Sequence, residues 1–260
     1  MTLPPSIDIT LCRGCNLNRL NGVSGHYHLI MRIKLSFSYI IAFLLLVLLM
    51  LELHEMVHII TGRIICGAWG TRDFNVWQLC ADCEKAHPLS WIATLTGPLF
   101  SFMLMWLGMY WLYSASAWMR ALGFAFIFAN IPFGRISQAM MGGGDEMVVT
   151  RHLLKGTLSH TQMVWLCSAV LLALGLPPVI KAWRSMANKH AWLYLLGFLT
   201  LPLVFILSYV LTLLNSLLNS GLLAAPWLMG TPLLITLHTL LAAVLFALFY
   251  KRLMLVGVDG

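Results

Sequence analysis

His54-Glu55-Met56-Val57-His58 is an HExxH motif set inside an apolar run long enough to cross a membrane. On a helix, residues four apart share a face, so His54 and His58 can turn two imidazoles towards one metal ion. Glu55 projects about 100° further round and can take a proton from a water held at that metal, the division of labour of a zinc hydrolase. From Ser38 to Ile60 the only other Asp, Glu, His, Lys or Arg is Glu52. Each such group at membrane depth costs about 2.5–3.5 kcal/mol on insertion scales, so four of them within less than two turns call for a function.

The rest of the chain agrees with a membrane setting. Of 260 residues 60% are hydrophobic and 10% charged, and the mean hydropathy is +0.86. A soluble domain cannot bury that much apolar surface. The net charge of +7 comes from basic residues scattered singly or in pairs, with no basic stripe interleaved with aromatics. That pattern suits topology signals and headgroup contacts and excludes nucleic acid as a partner. Tryptophans and tyrosines near segment ends, such as Trp91, Trp111, Tyr113 and Trp192, suit interfacial belts.

Six spanning segments are expected, at about 38–61, 91–113, 117–134, 161–179, 192–214 and 226–250, each near the roughly 20 residues a helix needs. The third is short and polar at its end, and Pro226, Gly230 and Pro232 delay or kink the sixth. The expected fold is therefore an all-α polytopic membrane protein with about six transmembrane helices. After the first comes a small membrane-associated β-hairpin, because Asp73 to Leu79 is rich in strand formers and partly alternating. A substrate segment could add to the edge of such a hairpin as an extra strand.

The chain divides into residues 1–30, 31–155 and 156–260. The first piece is polar, has no apolar stretch of signal-peptide type, and reads as a disordered extension or a start assigned too early. Met31-Arg32-Ile33-Lys34 would be a natural beginning, so a chain starting at Met31 is expected to insert and function as the whole does. The middle piece carries the motif and three spans, and the last holds three further spans with no assigned role. The basic residues do not fix the orientation. Arg32 and Lys34 argue for a cytoplasmic N-terminus, whereas Arg63, Arg72, Lys85, Arg135, Arg151 and Lys155 argue against it.

A catalytic zinc takes three protein ligands and leaves a fourth position for water, so a third ligand is needed. Glu52 lies on roughly the opposite side of the helix from His54. Asp145 and Glu146 follow Gly142-Gly143-Gly144, where the backbone can turn sharply and approach other elements. One of this pair is the expected ligand, Asp145 first, against the plainer reading of a solvated pair or a helix start. Upstream, Asn130-Ile131-Pro132 breaks a helix beside an amide able to donate, which makes Asn130 a candidate for positioning substrate or steadying an oxyanion.

Taken with Thr96-Gly97-Pro98-Leu99 at the second span, these elements resemble the site-2 proteases, intramembrane zinc metalloproteases. The resemblance covers about residues 38–155. It implies zinc held by His54, His58 and Asp145, Glu55 as general base, and Asn130 near the substrate. It also implies a transmembrane protein or peptide as substrate and a place in a lipid bilayer, the cell membrane. The chain departs from the family pattern in three places. Asn130 and Pro132 stand one residue closer than usual and the acid follows a glycine run. Ser101 stands where an asparagine often does, and the acidic Glu52 flanks the motif. The alternative class is a non-proteolytic zinc carrier or sensor, or an inactive protease-like scaffold. The intact Glu55 argues against inactivity, and the later spans offer few ligands beyond His238.

Among the cysteines, Cys80 and Cys83 are candidates for a reversible disulfide, or with Cys12 and Cys15 for a four-thiolate metal site. Cys66 and Cys167 read as packing residues.

Overall fold

The computed structural model describes residues 31–254. The expectations for residues 1–30, including Cys12 and Cys15, lie outside the described residues.

Ten α-helices and one two-stranded antiparallel sheet make up the described chain, and six helical stretches are long and apolar enough to cross a membrane. Helix α1, Phe37–Cys66, begins where Ser36 accepts from the Tyr39 amide, a side-chain cap that the polar lead into an apolar run supplies. Its 30 residues extend about 45 Å, longer than the roughly 30 Å of a bilayer core. His54 comes about 26 Å along it, near the far end. The helix is apolar nearly all round, which suits a central position. It packs on α3 (Trp91–Trp111), α4 (Ala117–Ala129) and α10 (Leu233–Phe249).

Short strands β1 (Thr71–Arg72) and β2 (Trp77–Gln78) pair Thr71 with Gln78 and Arg72 with Trp77. The expected strand stretch begins four residues too early. Asp73 to Val76 forms the turn, with the Asp73 carboxylate accepting from the amides of Asn75 and Val76, a local bond that competes with strand pairing. The turn is docked at three points. Phe74 packs edge-on to His238. Asn75 Oδ1 accepts from Asn215 Nδ2 at 2.7 Å. Arg72, fully buried, donates to Glu52 at 2.6 Å. Glu52, the acid that looked out of place in α1, is thus the counter-charge that lets an arginine be buried under the hairpin.

Helix α2 (Cys83–Ala86) is a single turn before α3. The third span is broken: α4 stops at Ala129, Ile131 takes a positive φ, and Pro132 opens α5 (Pro132–Met140). Proline at a first helical position forfeits no helix bond, and it drives the residue before it out of the helical region. After the glycine turn, α6 (Asp145–Leu154) starts with the acid pair. Helix α7 (His160–Arg184) follows a Ser159–Gln162 capping box. Helix α8 (Ala191–Phe205) runs through a π-helical stretch, Ile206–Leu214, into α9 (Asn215–Asn219) as one continuous span. The sixth span starts late, at Leu233 directly after Pro232.

A cluster of Tyr39, Phe43, Phe124, Phe128 and Phe198 fills the space between α1, α4 and α8. Outer faces carry exposed Trp165, Leu196, Val204, Leu241 and Leu248. This is the surface expected where lipid replaces water as the neighbour.

Candidate metal centre

His54 and His58 lie one turn apart on α1, both buried, and each is held from behind by α3. His58 Nδ1 donates to the Ala93 carbonyl at 2.7 Å. A carbonyl only accepts, so the ring proton sits on Nδ1 and Nε2 presents a lone pair. His54 Nδ1 lies 3.1 Å from Ser101 Oγ. That hydroxyl also accepts from Arg135 Nη2 at 2.9 Å, and Nη2 sits 3.0 Å from the same Nδ1. A hydroxyl donates or accepts but a guanidinium only donates, so two arrangements fit: Nδ1 donating to Ser101 frees His54 Nε2, and Nδ1 accepting from Arg135 places the ring proton on Nε2.

Ala93, Gly97 and Ser101 recur every fourth residue and so form one stripe of α3. Between them, Gly97 comes so close that a methyl group in its place would overlap the His58 ring at Nε2 and Cε1. On its other side, His58 stacks on Trp77 of β2, with centroids 4.8 Å apart and planes 11° from parallel. Gly97 and Ser101 stood out in the sequence through the resemblance, but their contact with the histidines did not, and neither Ala93 nor Trp77 was found. The small residues at helical spacing were a further signal, and it becomes meaningful only once α1 and α3 are set side by side.

The glycine turn delivers the third group. Gly142 and Gly144 take φ of +78° and +84°, a region L side chains avoid. Asp145, opening α6, then points Oδ2 to 3.1 Å from His54 Nε2 and 3.2 Å from His58 Nε2. The two Nε2 atoms are 3.1 Å apart. Three electron-rich atoms therefore converge with at most one proton to share. Tetrahedral zinc with ligands at about 2.0–2.2 Å spaces neighbouring ligand atoms by about 3.3–3.6 Å, so the triangle is slightly tighter than a metal's donor set and of the same shape. The His54, His58 and Asp145 group can hold a metal ion.

Burial works against ionisation of Asp145, but the contacts from His54 and then His58 outweigh it and hold its carboxyl below the ordinary range. The ionised form is the one that ligates a cation. Glu146, the other candidate, lines the same cleft but pairs with Arg135 at 3.3 Å.

The triad opens on a cleft of about 860 Å³. Its walls are the hairpin from Asn75 to Leu79, Gly134 and Arg135 of α5, and Leu207 and Leu211 of the π-helical stretch. His54, Glu55 and Asp145 all line it. Glu55 is buried, and its Oε2 has no hydrogen-bond partner. An unpartnered buried carboxylate oxygen is costly, which suits a group kept free for a reactant. Asn130 is placed differently. It is buried, its Nδ2 donates to the Phe126 carbonyl at 2.8 Å within its own helix, and it is not among the cleft residues.

The cysteine pairing also differs from expectation. Cys66 is bonded to Cys83, and Cys80 is free. Cys66, the last residue of α1, is thus a cross-link and no packing residue.

Comparison of the chain with protein-family models, curated proteins and solved structures found no match.

Proposed function

We propose that this chain is an intramembrane zinc metalloprotease of the site-2 type, hydrolysing peptide bonds within or next to transmembrane segments of proteins in the cell membrane. The observation that carries this reading is the convergence of His54 Nε2, His58 Nε2 and Asp145 Oδ2 beside Glu55, on the wall of a cleft large enough for an extended peptide.

Zinc bound there supplies a Lewis acid that polarises a carbonyl and brings the pKa of water to about 7. The chain's own residues do the rest. Glu55, one residue along from His54 and with its Oε2 free of hydrogen-bond partners, accepts the proton of the attacking water and returns it to the leaving amine. Trp77, Gly97, Ala93 and Ser101 hold the imidazoles in one orientation, and the Ala93 carbonyl fixes the tautomer of His58. The hairpin lines the cleft as an edge against which an unwound substrate strand can lie. The substrate must unwind, because a helical peptide bond is shielded. Asn130 lies off the cleft, with one amide N–H given to the Phe126 carbonyl and its buried Oδ1 without a partner, and no step is assigned to it.

A zinc carrier would need further ligand sets along a path through the spans. Among the described residues the only other group of three is Cys66, Cys80 and Cys83, two of which are already bonded. The test is cleavage of a transmembrane reporter in proteoliposomes. Activity is expected to vanish on chelation and return on adding zinc. Zinc uptake at the triad with no cleavage of any transmembrane reporter would favour the carrier or sensor.

A further inference from the structure

Three cysteine sulfurs meet at the end of α1, within 4.8 Å of one another. Cys66 closes α1 and is bonded to Cys83 at the start of α2, while Cys80 stands beside that bond as a free, half-buried thiol. A third sulfur held against a disulfide is the arrangement that thiol–disulfide exchange requires. Cys80 and Cys83 are also three residues apart and line the cleft, so they can close a short local bond without help from α1.

We propose that Cys66, Cys80 and Cys83 form a thiol–disulfide exchange site that moves the cross-link between α1 and the cleft wall. The Cys80 thiol gives its proton to water, and the thiolate attacks Cys83 Sγ. The Cys80–Cys83 bond forms as the Cys66–Cys83 bond breaks. Cys66 Sγ leaves with the electron pair and takes up a proton. One disulfide and one thiol are present before and after, so no outside oxidant or reductant enters.

Attack at Cys83 is favoured over attack at Cys66 by the leaving group. Cys66 is half-exposed, whereas Cys83 is buried, and a thiolate is better accommodated where water reaches it. In the first state a bond spanning 17 residues ties the α1 end, about two turns beyond His58, to the loop that carries Cys80, Asp82, Glu84 and Lys85 along the cleft. In the second state that tie is gone and the loop is closed only on itself. The site therefore sets how firmly one wall of the cleft is held to the helix carrying His54 and His58. This inference uses none of the metal ligands and does not depend on proteolysis.

The experiment is disulfide mapping of the full chain, equilibrated in a glutathione redox buffer, quenched in acid, alkylated and digested without reduction. Two isomers are expected: Cys66–Cys83 with Cys80 alkylated, and Cys80–Cys83 with Cys66 alkylated. Cys66→Ser should yield Cys80–Cys83 at the poise that oxidises the wild type. Cys80→Ser should lower alkylation of Cys66 in oxidised protein by about tenfold or more. Wild type in which Cys80 alone is alkylated at every oxidising poise would overturn the proposal. So would Cys66→Ser protein whose Cys80 and Cys83 both stay alkylatable at that poise. A thiolate-to-cobalt charge-transfer band in reduced protein, absent from Cys80→Ser, would reassign the cluster to a metal and equally overturn it.

Discussion

The Ala93 carbonyl accepts from His58 Nδ1 at 2.7 Å and so decides which nitrogen of His58 faces Asp145. A backbone group cannot be removed by substitution, so this bond is a fixed part of the site. Its counterpart on His54 is the Ser101 hydroxyl at 3.1 Å, which can be removed. Ser101→Ala is expected to weaken zinc binding by about 10–100-fold, the usual effect of losing a partner that orients a ligand. Competition with a metallochromic chelator measures this. An unchanged affinity would show that Arg135 and packing suffice to hold His54.

Gly97→Ala sets two effects against each other. Alanine improves helix propensity by about 1 kcal/mol, whereas overpacking costs about 1–3 kcal/mol. The added methyl falls on the metal-facing nitrogen of His58, so displacement of the ring should win. Purified Gly97→Ala protein is expected to remain helical by circular dichroism and to carry little zinc. Full zinc occupancy would mean that α1 and α3 separate easily, against the packing described here.

Asp145 and Glu146 are adjacent but turned to different partners. Asp145→Ala should lower zinc occupancy sharply. Glu146→Ala should leave most of it, since that carboxylate pairs with Arg135. Metal analysis of both proteins separates the two, and the reverse result would move the third ligand by one residue.

Glu52 and Arg72 form a buried pair at 2.6 Å. Glu52→Gln leaves a buried guanidinium without its counter-charge and is expected to destabilise the hairpin by about 3–5 kcal/mol. Replacing both residues, with Glu52→Leu and Arg72→Met, should recover much of that loss, because two apolar side chains need no charge compensation. Protease susceptibility between Gly70 and Leu79 reports on the hairpin. Equal susceptibility of the single and double variants would show that the pair does not anchor it.

The parts of this molecule legible in the sequence are those set by local periodicity. The apolar runs mark six spans, Pro132 marks the break in the third, and Pro232 the late start of the sixth. The spacing of His54 and His58 forces a shared face whatever surrounds it. The glycine run before Asp145 announced a turn, and the turn's positive φ angles at Gly142 and Gly144 are its cause. What the sequence did not disclose depends on distant elements meeting. Trp77 reaches His58 only because the hairpin folds back on α1. Glu52 looked anomalous until Arg72 was placed beneath it. Cys66 and Cys83, 17 residues apart, gave no pairing signal comparable with the nearer Cys80 and Cys83. Asn130 was legible as the residue before the helix break, but that it lies buried off the cleft with its Oδ1 unpartnered depends on how α4 packs.

In the proposed mechanism Glu55 moves the proton while His54, His58 and Asp145 hold the metal. The most direct measurement is zinc content together with cleavage of a transmembrane reporter, in wild type and Glu55→Gln. The substitution keeps size and leaves both imidazoles in place but removes the base. Zinc near one per chain in both proteins, with cleavage lost only in Glu55→Gln, is the predicted result. Cleavage by Glu55→Gln at close to the wild-type rate would contradict the account.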